Sequence, residues 1–174
     1  AAGYECEVVE RPEFAILAVQ GPRAVEKVKS ILGPELVGAN PVGKDRVALI
    51  ETLKVFQGGW CDGWFIARTG YTGEKGVEII LPEDHAVSLW DSLLEAGVRP
   101  IGLGARDTLR VEAGMNLNGV DMTIENNPFE SNLSWVVDLS DTEREFVAKQ
   151  NLVEIKKLNK LKLVGVLLNE KGIL

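Results

Sequence analysis

The segment at residues 69–79, TGYTGEKGVEI, carries the strongest indication of the fold. Its three glycines permit left-handed turns and close approach of neighbouring backbone. The flanking residues 62–69 and 76–81 contain many apolar, aromatic and β-branched side chains, which favour strands. We therefore predict two strands that are joined into a β-hairpin by the glycine-containing loop at residues 70–75.

Glu78 is a charged residue inside the apolar second strand of this hairpin, between Val77 and Ile79. Neighbouring side chains on a strand point to opposite faces, so Glu78 points away from the face that its neighbours share. Two interpretations are open at this point. Glu78 is either an ordinary solvent-exposed strand residue or a carboxylate that faces a cavity beside the sheet, where it would need a partner.

Residues 102–115, GLGARDTLRVEAGM, predict a short helix with a concentration of charge. Arg106 and Arg110 are one turn apart and therefore share a face of this helix. One interpretation is a set of ion pairs between the helix and the sheet. The other is that the planar guanidinium of Arg106 binds a carboxylate, from Glu78 or from a ligand. The spacing alone leaves both interpretations open.

The rest of the hydrophobic pattern alternates between strand and helix periodicity. A compact apolar run at residues 14–19 indicates a buried strand. The other predicted strands are residues 5–9, 46–56, 133–139 and 161–168, the other predicted helices are residues 22–32, 82–96 and 146–157, and residues 34–45 are predicted as a loop. This order predicts an α+β fold, with a mostly antiparallel sheet and helices packed on one face.

The composition excludes several classes of protein. The 174 residues are 45% apolar and 26% charged, which excludes a disordered chain and predicts one domain or one and a half. The longest apolar stretches are far shorter than the roughly 18–20 residues that a membrane span needs, so we expect no membrane association. The net charge of −7 predicts no nucleic-acid binding, because acidic surfaces repel phosphate backbones.

The scarcity of histidine and cysteine restricts the possible chemistry. His85 is the single histidine, so no Ser-His-Asp triad, Cys-His pair or multi-histidine zinc site can be assembled. The two cysteines, Cys6 and Cys61, make neither a metal quartet nor a disulfide framework. We therefore predict no metal site. Together with the absence of a secretory signal in the first residues, the cysteine usage predicts a reducing, cytoplasmic environment.

Three segments of the chain form a specific combination. They are GYTGEKGVE at residues 70–78, GLGARDTLRVEAGMNL at residues 102–117 and NPFESNLSWVV at residues 127–137. In this order and at this spacing they closely resemble the aminomethyltransferase (T protein) family of the glycine cleavage system and its folate-binding relatives. The first and last parts of the chain are similar to that family as well, so the resemblance extends over essentially all 174 residues.

The resemblance implies a three-domain fold that holds tetrahydrofolate in a central cavity. It also implies a transferase that takes the aminomethyl group from the lipoyl arm of the H protein, releases ammonia and forms methylenetetrahydrofolate. By similarity, Glu78 matches the glutamate that holds the pterin, and Arg106 matches the arginine of the substrate site. A carboxylate suits the first role because it can accept two parallel N–H bonds from a 4-oxopterin.

The chain departs from the family pattern at both ends. The family's catalytic aspartate lies in an N-terminal segment and its C-terminal domain is a barrel, and neither has a counterpart here, so we assign no catalytic residue. We expect residues 1–115 to be the middle domain, which carries the folate site. Residues 116–174 are expected to be a flanking segment with a helix and a final strand. Alone, this chain should bind folate weakly and should not catalyse.

Other functions stay open on the sequence alone. The chain could be the folate-binding domain of a related demethylase or amine-oxidising enzyme. It could also be a non-catalytic folate-binding module. A non-enzymatic binding or interaction domain is a third possibility, and it predicts no folate-dependent thermal shift.

Overall fold

The computed structural model of the protein describes Gly3, residues 5–32 and residues 42–171. The chain divides into two compact units, at residues 1–113 and 114–174. The first unit contains a four-stranded sheet and the helices that cover it.

The sheet of the first unit is antiparallel throughout. Its strands are β1 (Phe14–Gln20), β2 (Gly58–Cys61), β3 (Trp64–Ala67) and β4 (Gly76–Pro82). Their spatial order is β1-β4-β3-β2. The antiparallel pairing of β3 with β4 across the glycine-containing loop confirms the predicted hairpin. The register places Glu78 of β4 between Ala18 of β1 and Ala67 of β3.

Three helices cover one face of the sheet: α1 (Ala24–Leu32), α2 (Val42–Thr52) and α3 (Glu83–Glu95). Alternate side chains of β4 point to these helices and are fully buried, at Val77, Ile79 and Leu81. They share one hydrophobic core with Val28, Ile31 and Leu32 of α1, Ile50 of α2, and Leu89 and Leu93 of α3. The predicted α+β fold, with helices packed on one face of an antiparallel sheet, is therefore confirmed.

The helix predictions of this unit are also confirmed. Residues 22–32 contain α1, residues 82–96 contain α3, and residues 102–115 contain a further helix, α4 (Leu103–Glu112). Glu83 and Asp84 lie in the first turn of α3, where negatively charged side chains interact favourably with the positive end of the helix dipole. Gly97 follows the same helix with a φ of 73°, a left-handed conformation that glycine adopts without steric cost.

The prediction of a strand at residues 46–56 is wrong, because residues 46–52 belong to α2. Val47, Ile50 and Leu53 recur at every third position. Ile50 is fully buried, and the other two are half-buried against the same core. The apolar composition suited a strand, but only the helical spacing brings all three side chains onto the core, and packing outweighed the local preference.

Three further predictions concern the N-terminal half of the first unit. Residues 5–9 form no strand, so that prediction is wrong. The strand predicted at residues 14–19 is present as β1, but it is an edge strand that is buried on one face only: Val19 is 4% exposed and Ile16 is 63% exposed. Of the loop predicted at residues 34–45, residues 34–41 lie outside the described residues, and the rest belongs to α2.

The second unit contains an α-helix, α5 (Lys149–Leu158), and a short 3₁₀ turn (Ser134–Val136). α5 confirms the helix predicted at residues 146–157. None of the helices in the described ranges of the chain is long and apolar enough to cross a membrane.

The strands predicted at residues 133–139 and 161–168 are wrong. The first segment contains the 3₁₀ turn instead. The second makes isolated contacts: the Leu163 N–H donates to the Glu130 carbonyl at 2.8 Å, and the Asn132 amide donates to the Leu163 carbonyl at 2.9 Å. A strand needs a partner that continues the ladder, and apolar composition alone does not supply one.

Stability should depend on the covered face of the sheet and not on the open one. We expect Ile79→Ala to lower the free energy of unfolding by about 2–5 kcal/mol, because Ile79 is fully buried and the truncation leaves a cavity. Ile16→Ala, at a 63% exposed position of β1, should cost under about 1 kcal/mol. Urea unfolding of both variants is the measurement, and equal losses would contradict the assignment of the core.

Candidate functional site

A cavity of about 490 Å³ lies along the free edge of β1. Residues 16–22 form one wall, the C-terminal half of α3 with residues 98–101 forms a second, and the loop after β3 together with α4 forms a third. Apolar side chains such as Trp90, Leu94 and Leu109 line most of it, and a few polar groups project into it. This combination is typical of sites for small organic ligands.

Glu78 lines this cavity. Its cross-strand neighbours are Ala18 of β1 and Ala67 of β3. Both side chains are single methyl groups, so they leave space beside the carboxylate. The Thr69 hydroxyl donates a hydrogen bond to Glu78 Oε2 at 2.5 Å. Within the described part of the chain, Oε1 has no hydrogen-bond partner, so this oxygen is available to a ligand.

Arg106 lines the same cavity from the first turns of α4. Its guanidinium lies over the ring of Tyr71, 4.6 Å from the ring centroid. Among the described residues no carboxylate lies within ion-pair distance of Arg106, so a direct pair with Glu78 is absent. The guanidinium therefore keeps its donors for a ligand while the aromatic ring holds its plane.

Arg110 has a different role from Arg106, although both lie on α4. Its side chain is buried, and its Nε donates to Asp107 Oδ1 at 2.8 Å, one turn earlier on the same helix. The ion-pair interpretation of this segment therefore applies to Arg110, which pairs with Asp107 of the same helix. The structure brings together the two predicted site residues, Glu78 and Arg106, on the wall of one cavity. Their role in binding stays a prediction.

The loop that joins β3 to β4 needs its glycines. Gly73 has a φ of 73°, and a Cβ built there would lie 2.6 Å from the Cβ of Ala113. A Cβ on Gly76 would lie 2.4 Å from the Val19 carbonyl oxygen. Both distances are shorter than van der Waals contact allows. The predicted left-handed conformation is therefore confirmed at Gly73, and the predicted close approach of neighbouring backbone is confirmed at Gly76.

Sequence reasoning missed Gln20, which lies at the end of β1 on the cavity wall. Its Nε2 donates to the Thr69 carbonyl at 3.1 Å and to the Val77 carbonyl at 3.3 Å. Its Oε1 accepts from the Thr72 hydroxyl at 3.3 Å. The signal that could have revealed it is a polar residue at the end of an apolar strand, directly before the Gly21-Pro22 turn. Tyr71 and Thr69 were missed as well.

A second polar cluster lies on β2, β3 and the helices beside them. The Trp64 indole N–H donates to His85 Nδ1 at 3.2 Å, and the Arg46 guanidinium lies 3.9 Å from the Trp64 ring centroid. Arg46 also donates to Asp62 Oδ2 at 2.9 Å. Burial lowers the pKa of Arg46 and raises the pKa of Cys61. These contacts connect side chains of the first unit to one another, and we assign them a structural role.

The described residues contain no group of three or more His, Cys, Asp or Glu side chains that could hold a metal ion. The polar and aromatic groups that line the cavity are the carboxylates of Glu74 and Glu78, the guanidinium groups of Arg99 and Arg106, the Gln20 amide, the hydroxyls of Tyr71 and Thr72, and the rings of Tyr71 and Trp90. Such a set can orient a flat, polar ligand by hydrogen bonds and stacking.

Comparison with known proteins agrees with the geometry. The sequence profile of the family described as GCVT N-terminal domain matches residues 3–141. An aminomethyltransferase from Alcanivorax borkumensis is 49% identical over all 174 residues, which correspond to 45% of that protein. The crystal structure of glycine cleavage system aminomethyltransferase T from Bartonella henselae superposes with a TM-score of 0.74 at 34% identity. The superposed part is 90% of this chain and 40% of that protein. The chain thus spans less than half the length of these relatives.

The glycine loop gives a test of the local geometry. We expect Gly76→Ala to lower the free energy of unfolding by about 1–3 kcal/mol, because the added Cβ would overlap the Val19 carbonyl. Gly104→Ala, in the exposed part of α4 where a Cβ meets open space, should raise it by about 0.5–1 kcal/mol. Denaturant unfolding measures both changes. A Gly76→Ala variant as stable as the parent would contradict the close approach of the loop and β1.

Proposed function

The chain belongs to the GCVT N-terminal domain family, and on that premise we propose that it is part of a tetrahydrofolate-dependent aminomethyltransferase of the glycine cleavage system. In this reaction the carbon of an S–CH₂–NH₂ group on the lipoyl arm of the H protein moves to two nitrogens of tetrahydrofolate. The C–S and C–N bonds break, the sulfur leaves as a thiol, and the nitrogen leaves as ammonia. No oxidant or reductant is needed. The reaction belongs to glycine catabolism and one-carbon metabolism.

One observation carries this proposal: Glu78 and Arg106 line the same cavity of about 490 Å³. A 4-oxopterin presents two parallel N–H donors, from its 2-amino group and its N3 position. A carboxylate accepts such a pair in a charge-assisted, bidentate contact. Thr69 occupies one lone pair of Glu78 Oε2 and leaves Oε1 available. The residues present therefore fit the group that the family implies.

Arg106 is the second element of the proposed site. Folates carry carboxylates at the end opposite to the pterin, and a planar guanidinium is the side chain best suited to bind a carboxylate. The stack on Tyr71 restricts the orientation of this guanidinium before a ligand arrives. Apolar residues also line this cavity, among them Trp90 and Leu109, and they would exclude water from the flat part of the ligand.

The catalytic chemistry and the docking of the H protein are proposed for the complete polypeptide and not for this chain alone. The chain spans 45% of the Alcanivorax borkumensis relative, and its cavity is open along the edge of β1. When bound, tetrahydrofolate supplies the nitrogens that accept the one-carbon unit. The residues of this chain hold and orient it. We propose a cytoplasmic location on the basis of the two cysteines.

A second function uses the same cavity. The folate-binding domain of a related demethylase or amine-oxidising enzyme, or a non-catalytic folate-binding module, would also need Glu78 in the cavity. An assay of the complete gene product separates the possibilities. Ammonia release that depends on the lipoyl-bearing H protein supports the aminomethyltransferase, whereas folate binding without it supports the alternatives.

Glu78→Gln tests the pterin role in the complete gene product. We expect the Kd for tetrahydrofolate to rise by about tenfold to a hundredfold, because the amide has one acceptor oxygen and its NH₂ group opposes the donors of the ligand. Isothermal titration calorimetry measures the Kd. Glu95→Gln, an exposed glutamate of α3 outside the cavity, is the control and should keep the parent affinity. Unchanged affinity in Glu78→Gln would refute the assignment.

Arg106→Lys tests the guanidinium. The substitution keeps the charge but loses the planar fork and the stack on Tyr71, so we expect the Kd for tetrahydrofolate to rise by about fivefold. Arg106→Gln also removes the charge and should have the larger effect. The exposed Arg23, which lies outside the cavity, provides the matched control Arg23→Gln. Equal affinity of the Lys variant and the parent would show that only the charge of Arg106 matters.

A further inference from the structure

We propose that Gln20 is a positioning residue for Glu78: its amide holds the backbone on both sides of the glycine loop and so sets the orientation of the carboxylate. Gln20 acts here through Glu78, so this role rests on the proposed function of Glu78. Gln20 itself is not assigned as a ligand of tetrahydrofolate. It is half-buried at the last position of β1, on the same face of the sheet as Glu78.

The two carbonyls that accept hydrogen bonds from the Gln20 amide lie on either side of the glycine loop. One belongs to Thr69, whose hydroxyl donates to Glu78 Oε2, and the other belongs to Val77, which directly precedes Glu78. A single NH₂ group therefore bridges the backbone of the residue that orients the carboxylate and the backbone next to the carboxylate. It restricts how far apart Thr69 and Glu78 can move, although a whole loop separates them in sequence.

The orientation of the amide is also determined. Gln20 Oε1 accepts from the Thr72 hydroxyl at 3.3 Å, so the NH₂ group faces the two carbonyls. A flipped amide would place its oxygen against two carbonyl oxygens and would lose both hydrogen bonds to them, which the hydroxyl of Thr72, able to accept as well as donate, would not replace. Thr72 also accepts from the Glu74 backbone N–H at 3.3 Å. The Gln20 side chain thus contacts Thr69 and Val77, which flank the loop, and Thr72 within it.

The Gln20 amide packs closely against the backbone of two glycines. A Cβ on Gly70 would lie 1.9 Å from Gln20 Oε1, and a Cβ on Gly76 would lie 2.7 Å from Gln20 Nε2. The absence of side chains at Gly70 and Gly76 therefore makes space for the Gln20 side chain. The same loop carries Tyr71, on which Arg106 stacks, so the position of the loop influences both charged ends of the cavity.

The chemistry at position 20 requires an amide. Gln20→Met keeps the length and approximate volume of the side chain but has no donor for the carbonyls of Thr69 and Val77. Gln20→Glu keeps the shape and replaces the NH₂ group with an oxygen that repels those carbonyls. We expect both substitutions to release the Thr69–Glu78 pair and to weaken the binding of tetrahydrofolate by about tenfold.

A double-mutant cycle in the complete gene product separates positioning from general destabilisation. Calorimetric titration with tetrahydrofolate gives the Kd of the parent, Gln20→Met, Glu78→Ala and the double variant. If Gln20 acts through Glu78, Gln20→Met should raise the Kd by about tenfold in the parent and by less than about twofold in the Glu78→Ala background. A general structural effect would persist unchanged in both backgrounds.

Thr69 provides a second, independent measurement if the Gln20 variants fold poorly. Thr69→Ser keeps the hydroxyl donor and should keep an affinity close to that of the parent. Thr69→Val keeps the shape without the donor and should weaken binding to the same extent as Gln20→Met. Equal affinities of Thr69→Ser and Thr69→Val would overturn the proposal, as would a Gln20→Met variant that binds like the parent.

The outcome also distinguishes this proposal from the proposed function. If Glu78→Ala leaves the Kd unchanged, the pterin role of Glu78 fails, whatever Gln20 does. If Glu78→Ala weakens binding and the effect of Gln20→Met is the same with and without Glu78, the positioning role alone fails. A strong effect of Gln20→Met that disappears in the Glu78→Ala background supports both.

Discussion

The antiparallel register of β4 is the constraint on which the site depends. It places Glu78 between two alanines, Ala18 and Ala67, and turns Val77 and Ile79 to the opposite face. A shift of one residue would bury the carboxylate in the core and expose the isoleucine. The full burial of Val77 and Ile79 therefore stabilises the position of a charged group on the other side of the sheet. The hydrophobic core and the proposed ligand site are two faces of one strand.

The glycine loop extends this constraint to the other parts of the cavity. Because glycine has no side chain, the loop can approach β1 closely enough for the amide of Gln20 to reach two of its carbonyls. On its other side the loop approaches α4, where Gly73 meets Ala113 and Tyr71 lies under Arg106. The loop therefore connects an acidic group on the sheet with a basic group on a helix. Neither group needs the other as a partner.

This arrangement explains why the site suits binding and orientation. The carboxylate has an available oxygen and the guanidinium has no carboxylate near it among the described residues, so both keep their capacity for a ligand with donors at one end and acidic groups at the other. The chain covers less than half of its relatives. A one-carbon transfer is therefore a proposal for the complete polypeptide.

The sequence by itself determined the hairpin at the glycine loop and the helices with clear end signals, and it singled out Glu78 and Arg106 as predicted site residues. These features depend on local turn chemistry, on periodicity and on a motif that residues close in sequence carry. Only the tertiary structure decided that residues 46–52 are helical, that β1 is an edge strand, and that Gln20 reaches the loop. Each of these depends on contacts between segments that are distant in the chain, and a local pattern does not contain that information.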